Sequence, residues 1–168
     1  MKKLLIIVAV IMLPVVCLAE VPGGKVSKRK VTSVISQYKN KTGVEVIDLG
    51  WLGTSLLKGV MRVADGNDKD TKEALMMMKG LKGISVMSYE DSDPSLKAQI
   101  SSRLESALKD AELFMEVKDE GENLRIYGSV DEKRGTVSDV AIFAPKDGAF
   151  VFLSGTFSMD DIAKIAAK

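Results

Sequence analysis

Apolar residues recur at helical spacing in two segments and mark the clearest helices of the chain. Residues 27–40 form the first, an amphipathic helix whose apolar face comprises Val31, Val34, Ile35 and Tyr38. The second opens with Asp93 and Pro94, a typical N-cap and first-turn pair, and runs to about Asp110. Less regular patterns predict further helices after Leu52, from about Asp70 to Lys79, and after Ser158.

Strand patterns occupy much of the remaining sequence. They cover residues 44–49, 84–89, 112–118, 123–130, 136–145 and 149–157. Short runs of turn-forming residues separate the last four, which predicts a C-terminal four-stranded antiparallel meander. Helices and strands are segregated along the chain, so the pattern predicts a two-layer α+β domain. We expect a mostly antiparallel sheet with the amphipathic helices packed mainly on one face.

Alternation within the meander separates two sets of side chains. The aliphatic set is Leu113, Met115, Val117, Leu124, Ile126, Val140, Ile142, Ala144, Val151 and Leu153. The aromatic set is Phe114, Tyr127, Phe143, Phe150 and Phe152, and it shares its face with Glu116, Arg125 and Asp139. Because unpaired charges are rarely buried, we expect the aliphatic set to face the helices and the aromatic set to face solvent or another surface.

This aromatic face is the candidate partner or ligand surface, since aromatic and arginine side chains dominate binding hot spots. Its candidate residues are Phe114, Arg125, Tyr127, Phe143, Phe150 and Phe152. Two alternatives remain open: a helix covers this face, or bulges break the alternation.

The amino terminus has the order of regions found in a secretory signal peptide. Lys2 and Lys3 precede an apolar stretch, and Ala19 stands at the predicted cleavage position before Glu20. We therefore divide the chain into a signal peptide (1–19), a flexible lead-in (20–26) and a single α+β domain (27–168). No transmembrane segment is expected after cleavage, and the predicted location is periplasmic or secreted. Lipid anchoring through Cys17 is disfavoured, because Val16 stands where lipoprotein signals carry a small residue.

Composition excludes several kinds of chemistry. The chain has no histidine, and its one cysteine falls within the predicted signal peptide. A Ser-His-Asp triad, a Cys-His pair and the usual zinc ligand sets are therefore not formed by the mature domain. We expect no catalytic residue, no metal and no cofactor. An acidic run over residues 65–70 lacks the ligand pattern of a calcium loop.

Charge argues against a nucleic-acid partner. The 24 basic and 23 acidic residues of the chain nearly cancel, whereas nucleic-acid binding calls for a basic face. The densest basic cluster, at the start of the first helix, is Lys25, Lys28, Arg29 and Lys30. We interpret it as a solvated helix face, with contact to an anionic lipid or polymer left open.

Three segments together resemble a known family. They are Met115–Tyr127, Leu153–Phe157 and Asp160–Ile162, and the passage Leu75–Glu90 is also similar. The chain resembles the domain of unknown function 4252 family, exported proteins of Bacteroidetes-type bacteria. That resemblance implies an envelope location and an α+β domain, and it transfers no catalytic residue.

The sequence thus favours an exported, non-catalytic binding or interaction module of the bacterial envelope. Its partner would be an envelope protein or a small ligand, and a homodimer through the sheet is left open. The alternative is a small envelope hydrolase that uses carboxylate, lysine or serine chemistry. The S-x-x-K pair at Ser55 and Lys58 supports this alternative only weakly, because the K-T-G at residues 41–43 precedes it rather than following it.

Overall fold

A single sheet with helices packed on it makes up the described part of the protein. The computed structural model describes residues 24–55, 78–118 and 123–159. Its two longer helices are α1 (Lys28–Tyr38) and α2 (Pro94–Leu108); residues 51–55 are also helical, and Met78–Gly80 form a 3-10 turn. The strands are β1 (Glu45–Leu49), β2 (Leu81–Ser88), β3 (Glu112–Lys118), β4 (Asn123–Asp131), β5 (Thr136–Ala144) and β6 (Ala149–Ser158).

The six strands form one antiparallel sheet in the order β1-β2-β6-β5-β4-β3. Strands β3 to β6 are neighbours in chain order, so the predicted meander is confirmed, and each of its strands ends within one residue of the predicted bounds. Strand β2 begins at Leu81, three residues before the predicted start. The α+β class is confirmed.

Both long helices begin at the predicted capping residues. The Ser27 side chain accepts a hydrogen bond from the Lys30 backbone N–H, at 3.5 Å, at the start of α1. The Asp93 carboxylate accepts one from the Leu96 N–H, at 3.0 Å, and Pro94 follows in the first turn of α2. These contacts pair backbone N–H groups that have no partner within the helix.

One face of the sheet packs against α1 and α2, and it is the aromatic face. The shared core comprises Val26, Val31, Val34, Ile35 and Tyr38 around α1; Ile100, Leu104, Ala107 and Leu108 from α2; and Met87, Tyr89, Ala141, Phe143, Phe150 and Phe152 from the sheet and its turns. The Phe143 and Phe150 rings meet edge to face, with centroids 6.1 Å apart. The prediction that the aromatic set faces solvent is therefore wrong for Phe143, Phe150 and Phe152.

The charges that motivated that prediction are accommodated locally. Arg125 and Glu116 lie opposite each other on β4 and β3, at the margin of the core, and pair at 3.1 Å. Asp139 has a positive φ of 53° at an irregularity in β5, where its carboxylate accepts the Gly155 N–H. A bulge and an ion pair thus satisfy these charges without exposing the rings beside them.

The aliphatic set, predicted to face the helices, has no member in the core that α1 and α2 share with the sheet. Four of its members continue through Val86 and Ile47 into a row that crosses all six strands through direct pairs. In order, this row is Ile47, Val86, Val151, Ile142, Ile126 and Met115. Alternation places these side chains on the opposite face from Met87, Phe150 and Phe143. The face that packs against α1 and α2 is thus the aromatic one, while Ile142, Ala144 and Val151 of the aliphatic set are buried on the other face.

Several predictions fall outside the described residues. These are the signal peptide with Cys17 and its cleavage site, the acidic run at 65–70, the closing helix, and most of the two helices between β1 and β2. At the start of the described chain, Val26 is already buried in the core, and its N–H donates to Ser129 Oγ at 2.8 Å. Folded structure therefore begins inside the predicted lead-in. No helix in the described part of the chain is long and apolar enough to cross a membrane.

Candidate functional site

The six candidate residues of the aromatic face do not form one surface. Phe143, Phe150 and Phe152 are buried beneath the helices, and Tyr127 packs against the same core from its margin. Phe114 lies apart from them, at a register irregularity in β3 between Leu113 and Met115. Its ring fills the space above Gly128, where an added Cβ would lie 2.8 Å from the Phe114 Cζ.

Arg125 is the one candidate with a polar network. Its guanidinium donates to Glu105 of α2 at 3.0 Å and to Glu116 of β3 at 3.1 Å, which ties the helix to the edge of the sheet. Partial burial alone would lower the pKa of Arg125, but hydrogen bonds with Glu105, Tyr127 and Glu116 outweigh it and raise that pKa. The Lys118 ammonium, with a smaller contribution from Arg125, lowers the pKa of the Glu116 carboxyl. The Arg125 guanidinium is thus already paired with two carboxylates of the protein itself.

Within the described residues, the side chains available for hydrolase chemistry are spread over different elements. A second S-x-x-K pair, Ser36 and Lys39, lies exposed at the C-terminal end of α1, and Ser55 is exposed in a different element. The buried Tyr89 hydroxyl is 3.1 Å from Ser101 Oγ, and burial raises the pKa of Tyr89 to about 12, so the phenol is neutral at physiological pH. Lys58, Glu120 and Glu122 lie outside the described residues. Among the residues that are described, no group of three or more His, Cys, Asp or Glu side chains is placed to hold a metal ion.

A shallow groove lies between the turn after α1 and the start of α2. Its lining is Lys41, Thr42, Asp93, Ser95, Leu96 and Gln99. The groove is polar and wide open to solvent, whereas typical ligand pockets are enclosed and mostly apolar. It is therefore a poor match for a small apolar ligand.

Large apolar side chains are exposed at the β1 margin of the sheet. Ile47, Trp51 and Leu52 expose 52%, 67% and 69% of their surfaces. We call these three residues the β1 patch. Ile47 belongs to edge strand β1, and the other two lie in the helical turn that follows it. Clustered exposure of this kind marks interaction sites more often than scattered apolar residues do.

Local structure explains why Leu52 points outward. Thr54 is fully buried, and its hydroxyl lies 3.0 Å from the Trp51 carbonyl oxygen and 3.5 Å from that of Lys82 in β2. Leu52, two positions earlier, lies on the opposite side of this turn and therefore faces away from the strand.

Sequence reasoning missed this patch. The apolar pattern after residue 51 predicts that Leu52 lies on the buried side of a helix, and Trp51 is not part of that pattern. The available signal was the adjacent Trp51-Leu52 pair directly after Gly50, at the end of a strand. Trp51 precedes the apolar stripe of the predicted helix, so that pattern assigned it no buried position.

Comparison with known proteins identifies a family. No curated protein and no solved structure matches the chain. A family model described as a domain of unknown function, DUF4252, matches residues 38–165, which is well over half of the chain. The resemblance expected from the sequence is confirmed, and the chain belongs to the DUF4252 family.

Proposed function

We propose that this protein is an exported, non-catalytic interaction module that binds an envelope protein through the β1 patch. The observation that carries the proposal is the exposure of Ile47, Trp51 and Leu52 within six consecutive positions. Tryptophan is enriched in binding hot spots, where its large ring is buried on association. Export is supported by the order of regions in residues 1–19.

The position of the patch also favours a protein partner. Strand β1 is an edge of the sheet formed by the described residues, and an edge strand can pair with a strand of a partner. The other edge, β3, is interrupted by a register irregularity and carries the Glu116–Lys118 ion pair at 3.0 Å. Both features discourage strand addition at β3. In the part of the chain that the structure describes, a small ligand is less well supported, because the groove beside α2 is polar and open.

Partner capture with paired variants tests the proposal. The mature protein would be immobilised and exposed to an envelope extract from its own organism, alongside Trp51→Ala/Leu52→Ala. The control is Leu113→Ala/Val117→Ala, which removes exposed apolar side chains from the opposite edge strand. We expect one protein to bind wild type and control alike and to bind the patch variant at least about 30-fold more weakly, as for loss of a hot spot of roughly 2 kcal/mol.

Equal capture by the patch variant and the wild type would refute the role of the patch. Sedimentation of the purified proteins tests whether the partner is a second copy of this chain. Self-association of the wild type and the control, lost in the patch variant, would identify a homodimer. Turnover of an envelope polymer by the purified protein would overturn the non-catalytic assignment in favour of the hydrolase alternative.

A further inference from the structure

Charge is unevenly distributed over the helical layer. Residues 25–41, which contain α1, include six basic residues and no acidic residue. The cations at the start of this segment, Lys25, Lys28, Arg29 and Lys30, are all exposed. The whole chain is nearly neutral, so this local excess is not a consequence of overall composition.

The end of α2 adds to the same region. Lys30 Nζ lies 2.9 Å from Asp110 Oδ2, so the start of α1 lies beside the end of α2. The backbone at Gly24 runs against Asp110 and Ala111, so Lys25 and the exposed Lys109 each adjoin a residue of this contact. We call Lys25, Lys28, Arg29, Lys30 and Lys109 the cationic corner.

Among the described residues, little negative charge offsets this corner. Asp110 is its neighbouring carboxylate, and the hydrogen bond from Lys30 lowers the pKa of Asp110, so it is ionised and already paired. Glu105 of α2 is paired with Arg125 on the sheet side. Lys25, Lys28, Arg29 and Lys109 form no ion pair within the described residues.

Fold stability does not account for the cations at the start of α1. Three of them, Lys28, Arg29 and Lys30, occupy the first turn of α1, which has no acidic residue. Positive charge near a helix N-terminus opposes the helix dipole and costs a few tenths of a kcal/mol or more per residue. Lys28 and Arg29 are exposed and unpaired in the first turn of α1, where the helix dipole disfavours positive charge.

We propose that the cationic corner docks the protein on an anionic lipid bilayer. Its Lys and Arg side chains are exposed and complementary in charge to anionic headgroups, which attract clustered cations to a membrane surface. Nucleic acid fits less well, because Tyr38, the one aromatic residue in segments 25–41 and 93–110, is buried and offers no stacking surface.

Vesicle binding of matched variants tests this proposal. Protein recovered from secreting cells would be titrated with phosphatidylcholine vesicles, with and without phosphatidylglycerol. The variant is Lys25→Gln/Lys28→Gln/Arg29→Gln. The control, Lys82→Gln/Lys133→Gln/Lys146→Gln, removes the same charge from exposed positions in β2 and the turns of the meander. Melting curves of both variants confirm that they fold.

Wild type and control should bind vesicles that contain phosphatidylglycerol. The corner variant should bind them on the order of 100-fold more weakly, because each of the three cations contributes about fivefold in affinity. Added salt should weaken wild-type binding. Equal losses in the two triple variants, equal binding to neutral vesicles, or binding to a DNA duplex without binding to vesicles would overturn the proposal. Trp51→Ala/Leu52→Ala should retain vesicle binding, so the outcome is independent of the β1 patch.

Discussion

Replacing Phe150 by alanine should lower the free energy of unfolding by about 3–5 kcal/mol. Phe150 is fully buried beneath the helices and meets Phe143 edge to face, so its removal leaves a cavity that the surrounding core fills only partly. Chemical denaturation of the purified protein, followed by circular dichroism, measures the change.

Leu113→Ala is the control for this experiment, because Leu113 lies in the same sheet but is 45% exposed. Leu113→Ala should lower the free energy of unfolding by less than about 1 kcal/mol. If Phe150→Ala is too unstable to purify, Phe150→Leu should show a smaller loss in the same direction. A cost for Phe150→Ala as small as that of Leu113→Ala would show that the aromatic face is open, contrary to the packing described above.

Replacing Gly43 by alanine should lower the free energy of unfolding by about 3 kcal/mol. Gly43 has a φ of +75°, which is unfavourable for residues with a side chain. A Cβ there would also lie 2.6 Å from the Ser92 Cα and would overlap the Asp91 carbonyl. The turn between α1 and β1 therefore needs glycine both for its conformation and for its close approach to the segment before α2.

Gly135 separates these two effects. Its φ is +59°, so its conformational penalty is similar, but a Cβ at this position meets no heavy atom within 4 Å. Gly135→Ala should cost only about 1 kcal/mol. Thermal or chemical unfolding of the two variants side by side measures the difference. Equal losses would mean that the Asp91–Ser92 segment moves away from Gly43 at no cost.

Elements of the fold were predictable because local chemistry marks their ends. Asp93 and Pro94 mark the start of α2, and the turns at 131–135 and 145–148 separate meander strands that match the predicted bounds within one residue. The antiparallel meander followed from the shortness of these turns.

Local chemistry did not predict which face of the sheet packs against α1 and α2. The prediction assumed that a face is either wholly buried or wholly exposed. The charges of Glu116, Arg125 and Asp139 were therefore taken to exclude a core on the aromatic face. In the fold, Arg125 lies where the core ends and reaches Glu105, a partner 20 residues away in another element. Asp139 lies in a bulge, which also changes the alternation of β5. Long-range partners and single-residue insertions leave no periodic signal in the sequence.

The candidate site shows the same limit. Phe143, Phe150 and Phe152 form core, and the β1 patch became visible only once burial was known. Trp51 follows a strand and begins a helix, where neither alternation nor helical spacing determines exposure. The cationic corner was visible as a sequence cluster, but its continuation to Lys109 depends on the contact between Lys30 and Asp110.

Fluorescence of Trp51 tests most directly whether the β1 patch is open to a partner. Trp51 is the only tryptophan of the chain, so the emission reports on the patch alone. With 67% of the residue exposed, we expect emission close to that of N-acetyltryptophanamide in water and strong quenching by acrylamide. Blue-shifted emission that resists acrylamide in the isolated protein would show that the chain itself covers Trp51, which contradicts a binding role for the patch.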